Sequence, residues 1–264
     1  MNGQLIELSL GQVALAASLV VISAAISLAL QLGLHRRLLL AAVRCVVQLL
    51  LIGLVLRWVF EPGRQWYVVV SLGLAMTLIA GKVAVGRNRH RYAGMTLDSV
   101  ISIWACCWLI TAVALTVVVR PDPWYLPRYA IPLLGMILHN TLNGVSLGVN
   151  RFTADLRDRR GEIETLLALG ATRAEAARES VQEAVRTGMI PTINAMMVMG
   201  IVNLPGMMTG QLLAGADPIQ AVSYQIVIMF LLAAAGALGT SGIVLLGYRR
   251  LFTADHQFRP ERIR

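Results

Sequence analysis

Charge is scarce in this chain. Only 14% of its 264 residues are Asp, Glu, Lys or Arg, where soluble domains carry about a quarter. Lysine is almost missing. Lys82 is the single one, so 22 of the 23 basic residues are arginine. Cysteine is limited to Cys45, Cys106 and Cys107, all inside apolar runs, so no disulfide framework is implied. Cys106 and Cys107 are adjacent and point in different directions on a helix, which argues against a paired metal site. No Gly-x-x-x-x-Gly-Lys-Ser/Thr motif is present to cradle phosphates; Gly81-Lys82 is followed by Val83 within an apolar run. The chain is therefore not expected to hydrolyse ATP by that mechanism. His-Glu-x-x-His is also absent, and Asp98 is the only acid within a long apolar run, which excludes a two-carboxylate centre there.

What the chain does have is length in its apolar runs. It is 57% hydrophobic, and a helical bilayer span needs about 20 apolar residues. Such runs must be helical, because lipid leaves free backbone groups unsatisfied. Seven spans are expected: Leu8–Leu34, Leu38–Phe60, Trp66–Gly86, Leu97–Val119, Tyr129–Val149, Val185–Leu204 and Ile219–Leu246. The first run is too long for a signal peptide and lacks a basic leader, so it reads as a retained span. The expected fold is an all-α polytopic membrane protein, with one transmembrane domain over residues 1–264.

The arginines give these spans a direction. With the N-terminus outside, the inward segments after spans one, three, five and seven hold two, three, seven and five Arg, 17 in all. The outer loops hold Arg57, Arg64, Arg120 and Arg128, while Arg44 and Lys82 lie inside spans. A 17:4 bias points to a periplasmic N-terminus and a cytoplasmic C-terminus. Trp66, Tyr67, Trp124 and Tyr125 then fall at the outer interface, as an aromatic belt does. The net charge of +9 is explained by these loops, so nucleic acid is not an expected partner. Membrane lipid is.

One polar segment is sizeable, residues 150–185. Ile163, Leu166, Leu167 and Gly170 share a helical face. Gly170 is placed as a helix stop, and Thr172-Arg173-Ala174-Glu175 reads as a capping box that opens the next helix. The segment spells helix, corner, helix, leading into span six. Two readings follow: an amphipathic helix on the membrane surface, or a rigid arm that turns a partner's push into helix motion.

Ionisable and amide groups within spans are costly and default to functional candidates. Arg44 and Gln48 share a face of span two; Arg44 either snorkels or serves a pathway. His139, Asn140 and Asn143 cluster in span five, and Asn194 and Asn203 lie in span six. They either glue helices or line a cavity with N and O ligands. Asp98 is expected to pair with Lys82 or the Arg87–Arg91 cluster. Met207 and Met208, among many late methionines, are packing residues or a passing contact for a soft metal. Pro205-Gly206 is expected to end or kink span six, a candidate hinge. Asp217-Pro218 looks like the cap that restarts the last helix.

Glu162-x-x-x-Leu166-Leu-Ala-Leu-Gly170-Ala-Thr172 resembles the coupling-loop motif of ABC transporter permeases, where Glu-Ala-Ala precedes a Gly. Here Glu162-Ile163-Glu164 stands in place of Glu-Ala-Ala. Nearly the whole chain resembles the FetB-type permeases, bacterial metal exporters with plant relatives linked to aluminium tolerance. Leu134–Leu147, the coupling segment, and Leu204-Pro-Gly-Met-Met-Thr-Gly-Gln211 through Phe252 carry the likeness. The resemblance implies a homodimer in a bacterial inner membrane that exports iron or another transition metal. It implies that ATP and Mg are bound by a separate ATP-binding subunit, this chain holding no cofactor and being no enzyme itself. Glu162, Glu164, Leu167, Gly170, Ala171 and Thr172 would meet that subunit. Since plant relatives are tied to a nucleotide-sugar cargo, a non-metal exporter stands as the alternative. A non-transporting ABC-associated signalling subunit is the runner-up from another class, though the outer loops are too short for the large outer domain such subunits carry.

Overall fold

The computed structural model describes residues 9–60, 66–88 and 90–263. The described residues are helical almost throughout: α1 Leu10–Ala29, α2 His35–Val59, α3 Trp66–Gly86, α4 Met95–Val113, α5 Pro127–Asp158, α6 Arg160–Ala168, α7 Arg173–Val198, α8 Gly206–Leu213 and α9 Pro218–Leu251. A π-turn, Ala114–Val118, prolongs α4. Leu8, Arg64, Arg89 and Arg264, used above for span and charge assignments, lie outside the described residues.

Among the described residues, six helices are long and apolar enough to cross a membrane: α1 to α5, with α4 taken through its π-turn, and α9. The expected span Val185–Leu204 is not among them. Its helix, α7, begins twelve residues earlier at Arg173 and stops at Val198. The first half carries Arg173, Glu175, Arg178, Glu179, Glu183 and Arg186. What remains uncharged, Thr187–Val198, spans about 18 Å at 1.5 Å per residue, short of the ~30 Å hydrocarbon core. The chain then turns through Met199–Pro205, with Gly200 in the left-handed region at φ +81°. Pro205-Gly206 therefore sits at the start of α8 rather than at the end of α7, and Met207 and Met208 are helical.

Chain contacts divide the molecule into two compact units. One contains α1 and α2, which pack on each other. Ser9 and Gln12 close a capping box at the start of α1. Ser27 Oγ accepts the Leu34 N–H at 3.1 Å and ties down the turn before α2.

The other unit is centred on α5, which packs against α3, α4, α7 and α9. The closest approach is built from small residues. A Cβ on Gly188 of α7 would collide with Thr240 Cγ2 of α9 and sit 2.7 Å from the Gly144 carbonyl oxygen of α5. A Cβ on Gly148 would lie 2.5 Å from the same Thr240 methyl. Gly144 and Gly148 are four apart, so both present one face of α5 to the crossing. Small residues at this spacing are how helices approach where solvent gives no hydrophobic drive.

Asp98, near the start of α4, is buried and accepts two hydrogen bonds from Arg250 of α9, at 2.5 and 2.8 Å. Of the expected partners among the described residues, Lys82 lies exposed on α3, Arg87 donates to Asn143 and Arg91 to backbone carbonyls of Gly86 and Asn88. After α9 the tail folds back. Phe252 stacks on Phe258 at 5.0 Å between ring centroids, and Arg262 donates to the Arg250 carbonyl at 3.0 Å.

Candidate functional site

The polar segment folds as a tight corner. Gly170, at φ +92°, donates its N–H to the Leu167 carbonyl at 3.1 Å, and Ala171 donates to the Leu166 carbonyl at 3.0 Å. These two bonds close a Schellman turn and use the orphan carbonyls of α6. Two residues later Thr172 donates its N–H to Glu175 Oε2 at 2.8 Å, and Glu175 N–H donates back to Thr172 Oγ1 at 3.3 Å. The expected stop and capping box are thus both present, and only Leu169–Thr172 separates the two helices. Those bonds from Thr172 hold the Glu175 carboxyl below its usual range.

Arginines lock this corner. Arg159, between α5 and α6, donates to both oxygens of Glu162, at 2.6 and 2.9 Å, and to Glu179 of α7 at 2.7 Å. The hydrogen bonds push the Arg159 guanidinium up and hold Glu162 down. Arg160 donates to Glu164 at 2.7 Å. Arg173, at the first turn of α7, donates its backbone N–H to His256 Nδ1 at 2.9 Å and its side chain to the Thr253 carbonyl at 3.0 Å. Its guanidinium lies 5.7 Å above the Tyr248 ring centre. The tail and the corner are therefore joined through the first turn of α7.

The span amides divide. Asn140 donates to Thr192 Oγ1 of α7 and to the Leu232 carbonyl of α9, both at 3.1 Å, so it ties three helices together. His139 and Asn143 point elsewhere. Asn143 Oδ1 accepts from Arg87 at 2.8 Å, and its amide nitrogen is 3.3 Å from His139 Nε2. This row leaves the His139 side of α5 exposed. Arg44 and Gln48 are both exposed on α2, and Asn194 and Asn203 are exposed on α7 and the turn after it. A cleft of about 390 Å³ opens beside that turn, lined by residues that include Met208 and Pro205 but neither Met207 nor Asn203. Among the described residues, no group of three or more His, Cys, Asp or Glu converges on a point.

The profile of the uncharacterised protein family UPF0014 matches residues 10–252. The chain belongs to the UPF0014 family. It is 40% identical over 230 residues to the UPF0014 membrane protein slr1647 of Synechocystis, covering 86% of this chain and 87% of that one. It is 32% identical over 247 residues to the Probable iron export permease protein FetB of Escherichia coli, covering 92% of each. It is 33% identical to the UPF0014 membrane protein STAR2 of Oryza sativa, covering 92% of this chain and 83% of that one. No solved structure matches it. With its six apolar helices, this UPF0014 chain is a multi-pass membrane protein.

Two features of the UPF0014 corner differ from the pattern read in the sequence. Leu167 packs with Ile163 and Leu166 against the chain's own core, while Leu169 stands 80% exposed at the apex. The signal for Leu169 was its position: an apolar residue one step off the stripe formed by 163, 166, 167 and 170. Glu162 and Glu164 are engaged by Arg159 and Arg160. Arg250 and the tail residue His256 carried no local signal, since their partners lie 152 and 83 residues away in sequence.

Proposed function

We propose that this chain is the membrane-spanning permease of an ABC-type exporter, driven by a separate ATP-binding subunit that docks on the α6 corner. One observation supports this most: α6 joins α7 through a four-residue corner whose four N–H groups are all hydrogen-bonded, and α7 continues as one helix past the Gly188 crossing, with Pro191 beyond it. A push on α6 is then transmitted as rigid-body motion instead of being absorbed by a linker. Leu169 is the exposed apolar knob for a pocket on the partner, with Gly170, Ala171 and Thr172 fixing its direction. The cargo is iron or another transition metal ion leaving the cytoplasm, on the strength of the kinship with the E. coli permease. Two copies of this chain form the pathway, with the N-terminus outside and the C-terminus in the cytoplasm, as the arginine distribution favours. This assignment requires the uncharged end of α7, the turn and α8 to make a seventh crossing together, and it agrees with the tail meeting the corner at Arg173.

An anionic organic cargo is the second reading. It is favoured by the Arg87 guanidinium, which holds Asn143 on the exposed side of α5.

The test is co-purification with the ATP-binding subunit and measurement of metal-stimulated ATPase in nanodiscs. Leu169→Glu removes the knob without touching the core. The expected result is loss of partner binding with normal membrane insertion and thermal stability. Wild-type partner binding by this variant would sink the docking assignment.

A further inference from the structure

The cleft beside the α7–α8 turn has an unusual lining. Met196 comes from the last turn of α7, Met199 from the turn after it, Met208 from α8 and Met229 from α9. In a leucine-rich chain, no leucine lines it. Gln225 and Met229 are four apart on α9 and share one helical face, while Met199 reaches the cleft from the extended residue that follows α7. Met199 is fixed by the turn that follows: Gly200 donates to the Asn203 carbonyl at 3.0 Å. Gln225 is only 7% exposed, yet its described polar partner is the Met199 sulfur, 3.8 Å from Nε2. A buried amide normally has stronger partners than a thioether. Gln225 itself lines the cleft.

We propose that this cleft is a binding site for a soft monovalent cation of the Cu(I) class, held by methionine thioethers with Gln225 orienting Met199. Thioether sulfur selects soft ions over Fe(II), Mn(II) or Mg(II). The lining residues include no carboxylate and no cation. The desolvation cost of an ion rises with the square of its charge, so neutral ligands suit a single charge and not a double one. Methionines that merely fill gaps leave no space beside them, whereas about 390 Å³ remains open here. The site does not rest on the exporter reading, because it is tested by binding to this chain alone.

The probe is Ag(I), redox-inert, in chloride-free buffer. The protein is the full chain in nanodiscs in a Cys45→Ser background, which removes the exposed thiol while leaving the buried Cys106 and Cys107 common to all samples. The parent is expected to bind Ag(I) with sulfur ligation in X-ray absorption. Met196→Leu/Met199→Leu, a volume-conserving exchange, is expected to bind about tenfold more weakly or worse. Met76→Leu, outside the cleft, is expected to bind as the parent does. Equal affinity in the parent and the double variant would overturn the site, as would Fe(II) displacing Ag(I) at equal concentration. If the double variant misfolds, peroxide oxidation of the parent decides instead. Ag(I) must slow sulfoxidation of Met196 and Met199 relative to Met76, and uniform rates would overturn the site.

Discussion

The crossing of α5, α7 and α9 and the corner around α6 hold helices together by opposite means. At the crossing, glycines bring backbones within van der Waals reach, and Thr240 fills the space a side chain would need. At the corner, the half-buried Arg159 and the exposed Arg160 bridge exposed glutamates of α6 and α7. A packed contact is all-or-none, since no neighbour can move without opening a void or a clash. An exposed ion pair is individually weak and screened by salt. α7 belongs to both regions: its charged first half is held by surface ion pairs and its middle, at Gly188, by close packing. That is the arrangement expected of a lever with a pivot.

A pair of identical substitutions separates the two regions most sharply. Gly188→Ala places a methyl against Thr240 and 2.7 Å from a backbone oxygen, and is expected to cost about 2–3 kcal/mol as an overpacked core does. Gly161→Ala, in α6 with nothing within 4 Å of the new methyl, is expected to gain about 0.5–1 kcal/mol from helix propensity. Thermal unfolding in detergent reads both signs. A Gly188→Ala protein as stable as wild type would remove the fixed pivot.

The second contrast is electrostatic. Asp98 is 3% exposed and Arg250 38%, while Arg159 and its two glutamates are 26%, 53% and 76% exposed. Asp98→Asn keeps the shape but leaves the Arg250 fork without its charge, a loss of about 2 kcal/mol for a hydrogen bond between charged groups. The loss is expected to change little between low and high salt, because the buried Asp98 carboxylate is screened much less than an exposed one. The effect of Arg159→Ala is expected to shrink as salt rises. Equal salt dependence of the two variants in denaturation midpoints would erase the distinction between the regions.

Legibility in the sequence followed the range of the interaction. Span three, Trp66–Gly86, coincides with α3, because run length alone sets it. The Gly170 stop, the Thr172–Glu175 box and the Asp217–Pro218 cap depend on residues no more than four or five apart, and all are present. The span Val185–Leu204 failed as drawn because hydropathy ignores where a helix begins: capping at Thr172 commits the charged half of α7 to the same helix. Asp98 was assigned to nearby cations because sequence shows only neighbours, whereas the fold brings Arg250 to it. The glycine crossing was unread for the same reason. Gly144, Gly148 and Gly188 are unremarkable singly, and only the meeting of three helices gives them a function. The amides of α5 were grouped by spacing, yet Asn140 faces α7 and α9 while Asn143 faces Arg87.

The smallest expected effect tests the charged half of α7 by pH. Glu175 is held below its usual range by the hydrogen bonds from Thr172. A carboxyl depressed in the folded state stabilises that state above its unfolded pKa, about 4.3 for Glu, and the contribution disappears as pH falls through the lower folded value. Acid is therefore expected to fray the first turn of α7 and loosen the corner, while the Gly188 crossing, which holds no titratable group, is unaffected. Glu175→Gln separates charge from geometry. Glutamine can still accept the Thr172 N–H in a capping box, but it carries no charge for the helix N-terminus. Hydrogen exchange at Arg173–Ala177 should rise in the wild type between mildly acidic and strongly acidic buffer, after correction for intrinsic rates, and stay level in the variant. If both proteins fray alike, the corner is opened by acid through another group, and Arg159 with its depressed partner Glu162 becomes the place to look.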